Sequence, residues 1–540
     1  MRIGIVAFSV CLLGLTAAVA ASEKGADVAP SSGELGDVFT PRAVTTYGSV
    51  SVEGRQIAYR AVAGRIIVHP KGWDDAARSG PKQASLGTPG GPAVASMFYA
   101  AYLKRDASPE TRPVVFLFNG GPGSSTMWLH MGAFGPMRVV TGSHTHTPAA
   151  PYRIINNAYS LLDASDLVFI DAPGTGFSRI EGKGARKAFY GTDQDAYAFS
   201  SFVMQFLTSY GRWNSPKYLA GESYGTPRAA AMAKILEIDH DVGLNGIIMI
   251  SQCLDSDLSA DSPETNPGIE LPYELVLPTY AATAWYYHKL PSDHPQLAPF
   301  LREVQDFAMG PYADALAAGS SLPKAQFDAI AQKLHEYTGL PVTYLEKANL
   351  RVNGGQFDKM LQSNERLITG RIDTRFSGPD MDSLSEVADY DPQAAALSSA
   401  YTAALNEYAR RTLGYTTSEY YRPDNYADIS DDWDGHHRPD GSPFPLPNMN
   451  VMPDLAAAMV YDPKLKIMVN GGYFDLATEF MEGWYEMHHL PIPQNLQANI
   501  QYDYYPSGHM IYVREPSLKS LHDNAAAFIH RSDNLSEPVR

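Results

Sequence analysis

Short, uninterrupted apolar runs recur along this chain, each ending in glycines or an acid: Val114–Phe118, Leu167–Ile170, Tyr218–Ala220, Ile247–Ile250, Ile467–Val469 and Ile500–Tyr505. Strands without a polar alternation are buried on both faces, so these runs predict a mainly parallel sheet covered by helices. Helical stretches at Asp195–Thr208 and Thr226–Leu236 fall between some of them. Before the first run, residues 46–70 alternate in strand fashion around turn residues, and Val94–Leu103 forms a further strand candidate. From about residue 259 to 453 the sheet-like runs disappear, and helical segments such as Ala281–Lys289, Leu297–Ala308 and Pro323–Tyr337 alternate with polar loops. The pattern predicts an α/β core in two parts, residues 46–258 and 454–540, interrupted by a mostly helical cap insertion over 259–453.

The first residues read as an address. Met1 and Arg2 precede an apolar run from Ile3 to Leu15, and Ala18-Val19-Ala20 supplies small residues for cleavage. Residues 1–20 are therefore expected to direct export to the periplasm or the medium, with 21–45 as a flexible leader. No later segment is apolar and long enough to span a bilayer, so no stable membrane partner is expected. The chain has 540 residues and only two cysteines, Cys11 and Cys253. After cleavage one remains, which excludes an internal disulfide and leaves stability to a large core. Cys253 follows an apolar run and reads as a small buried residue. With 42 basic against 59 acidic residues the net charge is −17, a field that excludes nucleic acid as a ligand.

Gly221-Glu222-Ser223-Tyr224-Gly225 is the G-x-S-x-G of the chain. It lies between the strand Tyr218–Ala220 and the helix-forming run that starts at Arg228. A serine on a strand-to-helix turn needs small flanking residues, and it meets a helix N-terminus that favours negative charge; both point to a nucleophile. The loop Asn119-Gly-Gly-Pro-Gly123 ends another buried strand without the G-K-[ST] of a phosphate loop. In a serine hydrolase such a loop brings Gly121 to the reacting carbon, so that the Gly121 and Tyr224 amides form an oxyanion hole. Asp475 and His509 follow in chain order on loops after the strands Ile467–Val469 and Ile500–Tyr505. Those are the places for the acid that orients a histidine and for the histidine that moves the proton. His144 and His146, and the stretch Asp431–His437, read as solvated loops rather than metal sites; Glu486–His489 reads as a helix surface. No metal or other cofactor is expected.

Three motifs in order, Asn119–Gly123, Asp171-Ala-Pro-Gly-Thr-Gly-Phe-Ser178 and Gly221–Tyr224, resemble the serine carboxypeptidase family of the α/β-hydrolase superfamily. The likeness is to a bacterial-type member without the family's disulfides, and it covers roughly residues 110–255 and 454–530. It implies an α/β-hydrolase fold, peptide substrates cleaved at the C-terminal bond, and Ser223, Asp475 and His509 as the triad. It further implies that Asn119, Gly120 and Glu222 bind the substrate's terminal carboxylate. An acyltransferase or esterase using the same triad stays open as the alternative. Three positions depart from the family pattern: Ala133 stands where a carboxyl shares the glutamate's proton, Ser124 where the loop has cysteine, and Leu117 where a tryptophan is usual. Without that second carboxyl, either activity extends to higher pH or another carboxyl takes its place.

Overall fold

The computed structural model describes residues 38–73 and 90–535. The export signal expected over residues 1–20, together with Cys11, lies outside the described residues. Ten strands form one sheet: β1 (Arg42–Val52), β2 (Arg55–Val68), β3 (Val94–Lys104), β4 (Val114–Phe118), β5 (Asp166–Ile170), β6 (Arg179–Glu181), β7 (Lys217–Glu222), β8 (Gly246–Ile250), β9 (Lys466–Gly472) and β10 (Ile500–Tyr505). Their order is β1-β2-β3-β5-β4-β7-β8-β9-β10, with β6 beside β3. The β1–β2–β3–β5 pairings are antiparallel, and every pairing from β5 to β10 is parallel. This mixed, mostly parallel sheet is the α/β-hydrolase fold. β1 starts at Arg42, inside the stretch expected to be leader, because its residues pair one by one with Arg55–Arg65 of β2.

The apolar runs are buried on both faces, as their composition demands. Val114, Phe116 and Phe118 of β4 face one cluster, shared with α1 (Thr192–Tyr210), α2 (Gly225–Lys234) and, from later in the chain, the helix Met452–Tyr461. Val115 and Leu117 face the other, shared with the C-terminal helix Glu515–Ser532. Each such side chain stabilises the fold by ~1.5–3 kcal/mol. Two clusters of this size explain how the chain manages with Cys253 as a free thiol.

The insertion is helical, with α3 (Leu271–Tyr286), α4 (Leu297–Phe307), α5 (Lys324–Thr338) and α6 (Pro392–Glu407) as its longer members. It also holds a two-stranded ladder, Leu367–Thr369 with Ser377–Pro379, too short to show as an apolar run. α3 begins at Leu271 rather than near Ala281; Pro272 sits in its first turn, where proline is tolerated, and Pro278 lies inside it. α3, α4 and α5 build a third core that includes Phe474, Leu476, Phe480 and Met481 from the loop and helix after β9. α6 instead joins the sheet's own cluster through Leu397, Tyr401 and Leu405. The insertion is thus packed into the core as well as over it.

Candidate active site

Ser223 sits between β7 and α2 with φ +60, a left-handed conformation rare for a residue other than glycine. Its amide donates to Ile250 O at 2.9 Å and its carbonyl accepts from Thr226 N at 2.7 Å, which closes the turn. A Cβ at Gly221 would stand 2.1 Å from Gly225 O, so the turn is possible only with a glycine there. Gly120 is as constrained: a Cβ would lie 2.3 Å from Tyr224 N. The glycine loop therefore runs against the amide that follows the serine, the neighbourhood an oxyanion hole requires. Arg228 of α2 fixes this approach, donating to Asn119 O at 2.6 Å and pairing with Asp195 of α1 at 2.5 Å, all three buried.

Asp475 is fully buried on the loop after β9, and its oxygens accept four bonds. Ala477 N and Thr478 N donate to Oδ1 at 2.9 and 3.0 Å; the Thr478 hydroxyl and His509 Nδ1 reach Oδ2, both at 2.9 Å. With Nδ1 so engaged, His509 keeps Nε2 for a reacting group. Burial alone would lower the imidazole's pKa, but Asp475, and beyond it Glu222, outweigh that and leave it raised. Ser223 and His509 line one cavity of about 500 Å³, together with Asn119, Gly120, Gly121, Glu222 and Tyr224. The candidate site residues thus line this one cavity, except Asp475, which lies behind His509.

Glu222 is buried, and its Oε2 has no hydrogen-bond partner. Burial pushes its carboxyl up to about 7, against the opposing pull of His509, Tyr512 and Asn119. Ala133, at the position expected for a proton-sharing carboxyl, is itself fully buried in the turn Leu129–Phe134. Desolvation gives Glu222 a reason to hold a proton without any partner acid. Ser124 donates to Asp424 Oδ1 at 2.9 Å and accepts from Trp128 Nε1 at 3.0 Å. A tryptophan thus lines the cavity from position 128, while Leu117 is buried in the sheet.

Some residues escaped the sequence reading. The segment 371–376 of the insertion is bonded to both loops that carry the acid and the histidine. Its backbone links are Thr374 N to Phe474 O at 2.9 Å, Leu476 N to Arg371 O at 3.1 Å and His509 N to Ile372 O at 2.8 Å. Asp373, fully buried, accepts from Gly508 N at 3.2 Å and pairs with Arg375 at 2.5 Å. Three readings need correction. Cys253 is not core: past the end of β8 the chain turns, and the residue lines the cavity, partly exposed. Glu486 is not helix surface but fully buried. Its carboxylate accepts from the Leu254 and Asp255 amides at 2.6 and 2.7 Å and from Gln252 at 2.9 Å. His437 is not solvated but buried between Asp193 at 2.6 Å and Asp454 at 2.5 Å. Burial would lower its pKa, yet the two carboxylates raise it to about 9. Among the described residues there is no group of three or more His, Cys, Asp or Glu side chains arranged to hold a metal ion.

The fold is that of the α/β-hydrolases, and Ser223 shares a cavity with His509, which is bonded to Asp475. Residues 90–266 match the family model for serine carboxypeptidase. Serine carboxypeptidase-like 36 of Arabidopsis thaliana is 29% identical over 177 residues, 31% of this chain and 34% of that protein. Pheromone-processing carboxypeptidase KEX1 of Cryptococcus gattii is 33% identical over 129 residues, 24% of this chain and 18% of that protein. The matches span about a third or less of these relatives' length, which makes the relation a distant homology. The family match takes in Ser223 and ends before Asp475 and His509. Among solved structures, proline iminopeptidase from Mycobacterium smegmatis aligns with 12% identity over 91% of this chain and 100% of that one, at a TM-score of 0.34. At that level the fold assignment rests on the strand order itself.

Proposed function

We propose that this chain is a serine carboxypeptidase that removes the C-terminal residue of peptides through an acyl-enzyme. The observation that carries the reading is the pairing of His509 Nδ1 with buried Asp475, at a cavity shared with a serine on a left-handed strand-to-helix turn. Ser223 Oγ attacks the scissile carbonyl carbon as His509 Nε2 takes its proton. The oxyanion forms against the Gly121 and Tyr224 amides, where fixed dipoles in a water-poor site stabilise developing charge. When the intermediate collapses, the C–N bond breaks and His509 returns the proton to the leaving amine. Water then repeats the sequence on the acyl ester and frees Ser223.

Restriction to the last peptide bond comes from the other end of the cavity. Asn119, Gly120 and Glu222 take the terminal carboxylate of the leaving residue, and a protonated Glu222 donates to it instead of repelling it. Labelling by a fluorophosphonate in the wild type but not in Ser223→Ala tests the nucleophile. Incubation of blocked dipeptides with and without a free C-terminus tests the reaction: release of the terminal residue from the free acids is expected. Cleavage of esters alone, with no residue released from any peptide, overturns the carboxypeptidase reading.

A further inference from the structure

At and behind the cavity wall lie acids that the reaction does not use. α7 (Met452–Tyr461) and β9 lead into the helix α8 (Phe480–His488), which starts just after the Asp475 loop. Glu482 of α8 lines the cavity beside Cys253 and Thr478, and it is 1% exposed. Its Oε1 and both oxygens of Glu479 are buried with no donor from any other described residue, so the two carboxyls have only each other. Two buried carboxyls left to each other cost several kcal/mol, a cost that persists in a fold only where something offsets it. The third acid of the helix, Glu486, is satisfied by the Leu254 and Asp255 amides and Gln252, and it fixes α8 in place. Arg371 is the cation on this side, but its guanidinium is held by both oxygens of Asp261 at 2.6 and 2.5 Å. Among the described residues no cation forms an ion pair with Glu479 or Glu482, and Arg371 acts on Glu479 only through space.

Glu222 and Glu482 line the same cavity as Ser223 but among different neighbours. Glu222 packs toward Tyr512 and Tyr401, whereas Cys253 is tied to Thr226, three residues past the serine, through its amide at 3.2 Å. If Glu222 faces the leaving residue, Glu482 faces the residue that supplies the acyl group. We propose that Glu482, backed by Glu479, is the floor of a pocket selecting a lysine or arginine side chain on the acyl side of the scissile bond. This rests on Ser223 as the nucleophile but not on the nature of the leaving group. Burial pushes both carboxyls upward, and the charge of Glu479 raises Glu482 further while the hydrogen bond between them opposes the rise at Glu479, so the empty pair keeps a proton. When an ammonium or guanidinium enters, that proton leaves to solvent and the charge pair takes its place.

The test uses the full chain and N-blocked amino-acid p-nitrophenyl esters, which dispense with a peptide leaving group. kcat/KM is compared for lysine against norleucine and for arginine against citrulline, pairs of like shape that differ in charge. The expected result is a preference for each cation on the order of tenfold or more. Glu482→Gln is expected to bring both ratios toward one. Equal rates for lysine and norleucine in the wild type overturn the pocket, as does a ratio that survives in Glu482→Gln. Because the wild-type ratios stand alone, a variant that fails to fold does not remove the test. A cation preference on esters without release from any peptide supports the pocket while breaking the carboxypeptidase reading. Peptide cleavage without the preference does the reverse.

Discussion

The segment from β4 to β8 and the insertion contribute to the same cavity in different ways. Between β4 and β8 the constraints are local, and they are written as glycines. Gly120 and Gly221 are there because backbone passes where a side chain would have to stand. In the insertion the constraints are pairs far apart in sequence: Ser124 with Asp424, 300 residues on, and Gly508 with Asp373, 135 residues back. The first region shapes the turn that carries Ser223 by excluding side chains. The second holds the acid and histidine loops by supplying partners to them. A cap that only covered the cavity would need no backbone bonds to Phe474, Leu476 and His509, yet it makes all of them. The lesson is that the insertion holds the loops of Asp475 and His509 in place as well as covering the cavity.

Removing Asp373 tests that most severely. Asp373→Ala takes the carboxylate from the Arg375 guanidinium, which keeps only Ser507 Oγ at 3.2 Å, and the acceptor from the Gly508 amide, both in buried surroundings. Breaking a buried pair from one side costs ~3–5 kcal/mol. Denaturant unfolding is expected to show that loss, and kcat of whatever folds is expected to fall. Unchanged stability and kcat would return the insertion to the role of a lid. Thr478→Val probes a short-range contact in the core instead. It deletes the hydroxyl on Asp475 Oδ2 while keeping the shape, and a bond to a charged group contributes about 1.5–3 kcal/mol. The expected outcome is a drop in kcat of about tenfold or more with KM little changed. A drop smaller than twofold would mean that the two backbone amides and His509 hold the carboxylate without it.

What the sequence made legible follows the same division. Ser223, Asp475 and His509 stand at strand ends in an order set by the fold, and the apolar runs of β4, β5, β7 and β8 announce burial on both faces. The strand Val114–Phe118 is found at its expected limits. Arg228 with Asp195 and Asp373 with Arg375 were not visible, because a charged residue reads as surface until its partner is known. Glu486 and His437 were misread for that reason; each is buried among groups from distant segments. Cys253 failed in the opposite sense. Its apolar neighbours implied burial, but β8 ends at Ile250 and the turn beyond it faces the cavity.

Glu222 divides the two regions by pH. The missing acid at Ala133 pointed to either activity at higher pH or a substitute carboxyl, whereas burial, with the charge of Asp475 adding to it, raises Glu222 to about 7. Below that pH its carboxyl is protonated and can donate to a terminal carboxylate; above it, two negative charges face each other. His509 runs the other way, since its protonated form at low pH is no base, and its raised pKa moves that loss upward. Comparing a free-acid dipeptide with its C-terminal amide cancels His509, because both substrates need it. The ratio of kcat/KM, acid over amide, is then expected to be flat in acid and to fall about fivefold between pH 7 and pH 8. In Glu222→Gln the ratio is expected to lose that step, since the amide donates at every pH. A wild-type ratio that stays level through pH 8 would mean that a second group still shares the Glu222 proton. Asp424 on the insertion, which lines the same cavity and is itself raised by burial, is then the acid to replace next.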